Sequence, residues 1–389
     1  MSSRRLQITL QPEVLRWARE RAKLQPEELA QKMGVKLPDR VLKWEHDGAI
    51  SVAQVDRLAK CTYTPLGFLY LERPPDERLP ITDFRTREGT PPPSPDLLET
   101  VYLMQRRQAW MRDELIEDGA EPLDFVGAYG LHSLPRDVST AMRAVLQLTD
   151  GWTNTQSTWS GALRLLLDRL DTAGVLDCFN GVVGNNTHRK LNPNEFQGFA
   201  LADEYAPRVF VNSADFKAAQ IFTLAHEFAH LFIGKSGVSN FRILQPASNI
   251  TERFCNEAAA EFLIPEEKFH ELWPHVERAN DCYQAIAGRF KVSSVVAARR
   301  AFDLNLIGRD VFFRFYQEYD DKEKRSIRES EVGGGNFWSI QRWRIGPRFA
   351  AAIVRAVRER RMLYREAYNL TGLKGETFEN MPEKLGVSI

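Results

Sequence analysis

Two histidines lie four positions apart near the middle of the chain, in the segment FTLAHEFAHLFIG at residues 222–234. Positions i and i+4 of a helix share one face, so His226 and His230 can direct both imidazoles at a single metal ion. Glu227 projects beside them, where a carboxylate can take a proton from a metal-activated water. The pattern predicts a zinc site, and its alternative is an amphipathic helix with partly buried histidines.

A catalytic zinc needs a third protein ligand and keeps its fourth position for water. The segment TERFCNEAAAEFLIP has a helical pattern and places Glu252 22 positions after His230. Asn256 follows one turn later, where its amide can hold a ligating group in place. Glu257 and Glu261 are rivals on the same helix, but Glu257 lies about 140° around the axis from Glu252. We therefore predict Glu252 as the third ligand.

Strands and helices must position these groups. The segments GVLDCFNGVVG and PRVFVNS, within residues 174–212, are short β-branched or aromatic runs bounded by Gly, Pro and Asn, and predict strands. The run RVFVN fits two roles, an interior strand or an edge that pairs with an extended peptide. Helices are predicted from Ala214 through Gly234 and from about Asn249 to Leu263, where Pro265 ends the pattern.

The pattern IFTLAHEFAHLF followed by ExxCNxxAAxFLIP resembles the ImmA/IrrE metallopeptidases over roughly residues 160–300. The resemblance implies a gluzincin-like core of helices with a three-stranded sheet, and zinc held by the two histidines and the downstream glutamate. Cys255 stands where the family usually has alanine, and Ala258 where it has phenylalanine. The implied activity is cleavage of a peptide bond in a repressor-like or antitoxin-like protein. Tyr205 is a candidate oxyanion donor.

Residues 11–72 resemble an XRE-type (lambda-repressor-like) helix-turn-helix unit, on the pieces LQPEELAQKMGV, RVLKWEHDG and VDRLAK. Such units place their third helix in the major groove of DNA. Lys36, Arg40 and Lys43 are the basic residues on or beside that helix, and acidic residues oppose them. Two roles stay open for the module, DNA binding and docking of a protein or subunit.

A second segment near the C-terminus has a sequence pattern similar to that of a helix-turn-helix. It contains a basic cluster, formed by Arg355, Arg358, Arg360 and Arg361. Phosphate contacts and a solvated helix face both explain such a cluster.

The composition of the chain limits which partners and which cellular compartment can be expected. The formal net charge is zero, so nothing global indicates nucleic acid or membrane as a partner, and no stretch has the apolar length of a membrane helix. Four scattered cysteines form no CxxC pair, and we expect a cytoplasmic protein. An alternative to the peptidase is a non-enzymatic, zinc-containing regulator or antitoxin that binds DNA or a protein.

The predicted fold class is mainly α with a small β-sheet (α+β), a zincin-like core with an all-α helix-turn-helix domain before it and a helical region after it. The predicted domains are 1–72 (helix-turn-helix), 73–95 (a Pro- and charge-rich linker), 96–160 (a helical connection), 161–303 (the peptidase core) and 304–389 (a helical C-terminal domain).

Overall fold

The structure, a computed structural model, describes residues 6–85, 92–215, 217–240, 249–329 and 336–386. The chain divides into two compact units. The first contains Met1–Pro80 and Pro91–Val101, and the second contains Ile81–Thr90 and Tyr102–Ile389. Among the described residues, no helix is long and apolar enough to cross a membrane.

The first unit is a group of short helices closed by a small sheet. Proline at the first helical position starts both α1 and α2, and Gly48 ends α3 in the left-handed conformation, with φ 72°. A Cβ at Gly48 would lie 2.1 Å from the carbonyl oxygen of Leu10, so glycine is required there. The elements are β1 (Gln7–Thr9), α1 (Pro12–Arg21), α2 (Pro26–Lys32), α3 (Asp39–Asp47), β2 (Ala49–Ser51), α4 (Val52–Thr62) and a 3-10 helix at Leu66–Tyr70.

Strand β1 pairs antiparallel with β2, so the expectation of an all-α domain was wrong. Each strand has three residues, which is too short for an alternating pattern to be recognised in the sequence. The helices bury an apolar core that includes Val14, Leu15, Val41, Trp44 and Val55.

The second unit is mainly helical. Helix α5 (Pro95–Glu117) starts in the first unit and continues into the second. The other helices are α6 (Pro135–Val145), α7 (Trp159–Thr172), α8 (Lys217–Phe232), α9 (Ile250–Leu263), α10 (Glu266–Val276), α11 (Cys282–Phe290), α12 (Ser294–Asp303), α13 (Arg309–Glu329), α14 (Phe337–Ile345), α15 (Pro347–Arg358), α16 (Tyr364–Thr371), α17 (Gly375–Glu379) and α18 (Met381–Leu385), with a 3-10 helix at Trp152–Thr155.

The strands of this unit are β3 (Thr82–Asp83), β4 (Leu176–Asn180), β5 (Val182–Val183), β6 (Asn186–Lys190), β7 (Gly198–Leu201), β8 (Arg208–Asn212) and β9 (Gly237–Ser239). Five of them form a mixed sheet in the order β3-β9-β7-β8-β4. Strand β7 pairs antiparallel with both β8 and β9, while β4 is parallel to β8 and β3 is parallel to β9. Strands β5 and β6 form a separate antiparallel pair.

This sheet corrects two expectations. It has five strands where the family resemblance implied three. Strand β8, which is the run RVFVN, lies between β7 and β4, so it is interior and has no free edge for a peptide. The edge interpretation was therefore wrong. One strand of the sheet, β3, comes from the segment 73–95 that was expected to be a linker.

Helix α8 lies at the centre of the main core. Nearly all its residues from Gln220 to Phe232 are buried, which is typical of a helix surrounded by other elements. It packs against β7 and β8 of the sheet and against α6, α7 and α9. The element that carries the two histidines is thus held on every side.

The C-terminal helices form a second core with α5 and also cover Arg208. The Arg208 side chain on β8 is fully buried, and its guanidinium lies 5.3 Å from the ring centroid of Phe349. Burial lowers the pKa of Arg208 to about 10. The guanidinium of Arg107 on α5 is also buried and donates to the carbonyl oxygens of Arg344 and Leu370, at 2.7 Å each.

Two of the clustered C-terminal arginines have carboxylate partners on α5. Arg355 pairs with Asp118 and Glu114, and Arg361 pairs with Glu114 and its neighbour Glu359. These ion pairs account for Arg355 and Arg361 without any phosphate.

Candidate metal centre

Helix α8 presents His226 and His230 on one face, one turn apart. Both side chains are fully buried, and their Nε2 atoms lie 2.9 Å apart. Burial lowers the pKa of His226 to about 4, so its imidazole is neutral near neutral pH. A neutral imidazole has the free lone pair that a metal ligand requires.

Helix α9 brings the third donor. The side chain of Asn249 accepts a hydrogen bond from the backbone N–H of Thr251 and so caps the helix. Glu252 lies in the first turn, with Oε1 3.0 Å from Nε2 of His230 and Oε2 3.5 Å from Nε2 of His226.

The rival carboxylates of α9 lie elsewhere. Glu257 is exposed, and Glu261 pairs with Arg300. Among the described residues of this helix, Glu252 is the one glutamate that lies in a cluster with the two histidines.

The donor set fits a zinc ion. The described residues contain one cluster of side chains able to ligate a metal, His226, His230 and Glu252, with one ligand atom from each within 4.8 Å of the others. Two ligands about 2.0 Å from a tetrahedral zinc lie about 3.3 Å from each other, and the separations here are 2.9 to 3.5 Å. Two imidazole nitrogens and one carboxylate oxygen are also a donor set that catalytic zinc uses.

Asn256 holds one ligand in place. Its Oδ1 lies 3.0 Å from Nδ1 of His226. With the proton on Nδ1, His226 donates to this oxygen and keeps Nε2 free for the metal. The ring of His230 is fixed differently, because Phe84 stacks on it with the ring centroids 5.2 Å apart.

Glu227 lies in the site but is not one of the clustered donors. Its carboxylate is fully buried, and neither oxygen makes a hydrogen bond of ordinary geometry with the part of the chain that the structure describes. Burial raises the pKa of Glu227 well above its ordinary value, and the nearby charge of Glu252 raises it further. A buried polar group without a partner is uncommon and marks a place where a ligand or water is expected.

Ser239 and Gly198, like Phe84, were not predicted from the sequence as residues of the site. Ser239 on β9 is fully buried, and its Oγ lies 3.4 Å from Oε1 of Glu252, to which it donates. Gly198 on β7 leaves room for Glu227, because a Cβ there would lie 2.9 Å from Oε1 of that carboxylate. No local sequence pattern marks either residue, because both reach the site only when β7 and β9 pack against helices that are distant in the sequence.

Tyr205 lies in the turn between β7 and β8, which joins the ends of these strands at Leu201 and Arg208. Gly198, beside Glu227, is at the other end of β7. The Tyr205 ring lies 5.9 Å from the guanidinium of Arg112. The structure thus places Tyr205 at the opposite end of the hairpin from the ligand cluster.

The candidate DNA-reading residues lie in the first unit. Lys36 precedes α3, and Arg40 and Lys43 lie on it, all three exposed. Leu37 and Leu42 are exposed beside them, at 67% and 48%. Trp44 is buried in the core of the unit.

A helix with two histidine donors and a nearby buried glutamate, a third donor on the following helix and a supporting sheet together define a metallopeptidase-like site. A family model described as the IrrE N-terminal-like domain, of peptidase family M78, matches residues 171–302. The match supports the resemblance to the ImmA/IrrE family and indicates a metallopeptidase-like function. A second model, for a domain of unknown function (DUF8813), matches residues 345–384. No curated protein and no solved structure matches the chain.

Proposed function

We propose that the protein is a zinc-dependent endopeptidase that cleaves a regulatory protein, a repressor or an antitoxin. The observation that carries this proposal is the position of Glu227. Its carboxylate is fully buried beside the three donors without being one of them, and among the described residues it has no hydrogen-bond partner of ordinary geometry. A structural metal site needs its ligands but has no use for an additional buried carboxylate.

In the proposed mechanism, Glu227 accepts a proton from the attacking water and passes it to the leaving amine. The raised pKa of Glu227 suits a group that must both accept and donate a proton. Zinc held by His226, His230 and Glu252 would supply Lewis-acid activation of the water and of the scissile carbonyl. Asn256 fixes the tautomer and orientation of His226.

A non-enzymatic regulator is the second candidate, and one observation favours it. His226 and His230 are fully buried and Glu252 is 5% exposed, as in a closed structural zinc site. In this case the protein acts by binding DNA or a protein partner.

For the N-terminal unit we propose a helix-turn-helix module that contacts DNA phosphates through Lys36, Arg40 and Lys43. Its support is the exposure of all three side chains along and beside α3. Protein docking is the alternative, and the exposed Leu37 and Leu42 on the same surface favour it.

The proposal is tested by measuring zinc content and cleavage in the wild type and in Glu227→Gln, with regulatory proteins encoded beside this one as substrates. The exposed Glu257→Gln on α9 is a matched control. We expect about one zinc per chain in all three, cleavage by the wild type and the control, and a loss of about 10² to 10⁴-fold in Glu227→Gln. Equal cleavage by Glu227→Gln would exclude the mechanism, and a wild type without zinc would exclude both candidate functions.

A further inference from the structure

A short segment of the chain covers the outer edge of the sheet at the metal centre. Strand β3 pairs with β9 in parallel, with Thr82 opposite Gly237 and Asp83 opposite Val238. The backbone N–H of Phe84 then donates to the carbonyl oxygen of Val238 at 3.1 Å. Since β7 takes the other side of β9, removal of β3 would leave β9 as the edge strand.

The next residue of this segment reaches the metal site. The Phe84 ring stacks on the ligand His230, with an interplanar angle of 23°. Gly237 makes room for the ring, because a Cβ there would lie 2.1 Å from Cε2 of Phe84. The edge of β9 and the face of His230 together form a subsite that fits an aromatic side chain.

A basic side chain follows the aromatic one. Arg85 donates to both carboxylate oxygens of Asp83, at 2.8 and 2.7 Å. Its Nη1 also lies 3.6 Å from Oε1 of Glu195, and the side chains of Arg85 and Glu195 are 3% and 8% exposed. The acidic Glu195 therefore provides a counter-charge for a cation at this position.

No peptide bond can approach the site in this structure, because Glu227 and both histidines have no exposed surface. An extended peptide adds to a sheet edge through main-chain hydrogen bonds and gains specificity from pockets for its side chains. Residues 82–85 make both kinds of contact.

We propose that residues 82–85 occupy the peptide-binding groove of the metal centre, and that a peptide with an aromatic residue followed by a basic one binds along β9 in their place. Cleavage of that peptide rests on the proposed peptidase function, whereas its binding does not. The segment holds the uncomplexed site closed until a substrate displaces it.

The first test measures binding without cleavage. The zinc-loaded full chain carrying Glu227→Gln is titrated with a fluorescent peptide of sequence ITDFR, which copies residues 81–85. We expect Phe84→Ala in this background to bind the peptide at least tenfold more tightly, and the counterpart ITDAR to gain nothing. The exposed Phe337→Ala, on α14, is the control and should match the parent.

The second test displaces residues 82–85 with a different substitution. It therefore does not depend on correct folding of Phe84→Ala alone. The Cβ of Gly237→Ala clashes with the Phe84 ring, so it should expel the segment and also fill the aromatic subsite. We expect a chelator to remove zinc at least tenfold faster from Phe84→Ala and from Gly237→Ala, while only Phe84→Ala gains affinity for ITDFR.

Unchanged peptide affinity in Phe84→Ala, or unchanged zinc release in both variants, would overturn the proposal. If Phe84→Ala binds ITDFR tightly but the same variant with Glu227 intact cleaves no peptide, the peptidase function fails and the groove assignment stands.

Discussion

In the first unit Arg19 and Glu45 face each other between α1 and α3, whereas in the second unit Glu227 lies beside a cluster of three potential ligands. Nε and Nη2 of Arg19 donate to the two oxygens of Glu45 at 2.6 and 2.9 Å, and Nη1 donates to the carbonyl oxygen of Leu24 at 3.0 Å. Within the described ranges, both oxygens of Glu227 and Nδ1 of His230 have no such partner.

The two carboxyl groups therefore have different roles. That of Glu45 stabilises the fold, whereas that of Glu227 remains available to interact with a bound molecule. A bidentate pair with complete hydrogen bonds joins two helices and fixes their register. An unpaired buried carboxylate lowers stability by itself, so its presence needs a functional reason. Burial alone does not distinguish the two cases, because Glu45 and Glu227 are both nearly inaccessible, at 5% and 0%.

The largest loss of stability is expected when the ion pair between Arg19 and Glu45 is broken. Glu45→Gln leaves the Arg19 guanidinium buried without its counter-charge, and we expect the first unit to lose about 3 kcal/mol of unfolding free energy. In the metal-free protein, Glu227→Gln should change the stability of the second unit by less than about 1 kcal/mol, since it removes an unpaired carboxylate. Hydrogen exchange of α1, α3 and α8 amides measures both, and equal losses in the two units would contradict the comparison.

Zinc should stabilise the second unit by binding His226, His230 and Glu252. It should leave the stability of the first unit, with its Arg19–Glu45 pair, unchanged. At a free concentration about 100 times its Kd, we expect zinc to stabilise the second unit by about 2.7 kcal/mol, because it binds only the folded site. Thermal unfolding with and without a chelator measures the gain. His230→Ala should abolish it, and an equal gain in that variant would show that zinc binds elsewhere.

Removal of the group that orients a ligand should have a smaller effect. Asn256→Ala deprives His226 Nδ1 of its acceptor, and we expect zinc affinity to fall by about 10- to 100-fold. Competition with a chromophoric chelator gives the affinity. The neighbouring, exposed Glu257→Gln is the control, and a matching loss in it would mean that general damage to α9 is responsible.

The smallest stability effects belong to the exposed basic residues of α3. Arg40→Ala and Lys43→Ala break no buried contact, so each should change the stability of the first unit by less than about 0.5 kcal/mol. If the proposed phosphate contacts form, each substitution should also reduce the slope of log affinity for DNA against log salt by about one. A slope that neither substitution changes would favour protein docking by the module.

Much of the metal centre was predictable because its signals are local. The helix expected from Ala214 through Gly234 is Lys217–Phe232, and the one expected from about Asn249 to Leu263 is Ile250–Leu263. Helical spacing places two histidines on one face, and a polar cap with a following proline marks the ends of α9. Glu252 was predicted as a third ligand because zinc needs three protein ligands, and the structure places it in one cluster with the two histidines.

The remainder depends on contacts that the sequence pattern does not encode. Strands β1, β3 and β9 have two or three residues each, and their pairing partners lie far away in the chain. The contacts of Gly198, Ser239 and Phe84 with the site exist only after the sheet has formed on α8. A Pro- and charge-rich composition predicts a linker over 73–95, but it cannot show that Thr82 and Asp83 add to a sheet.

The buried guanidinium of Arg208 has a consequence for the smallest fragment of this protein that could exist by itself. The family match ends at residue 302, yet the aromatic ring that covers this cation belongs to Phe349, in the second matched region. The Cys178 thiol on β4 likewise donates to the carbonyl oxygen of Arg344, at 3.1 Å. Excision of residues 171–302 would uncover a cation within the sheet and leave that thiol without its acceptor. The matched region 171–302 therefore depends on the C-terminal helices to cover Arg208 and to accept from Cys178.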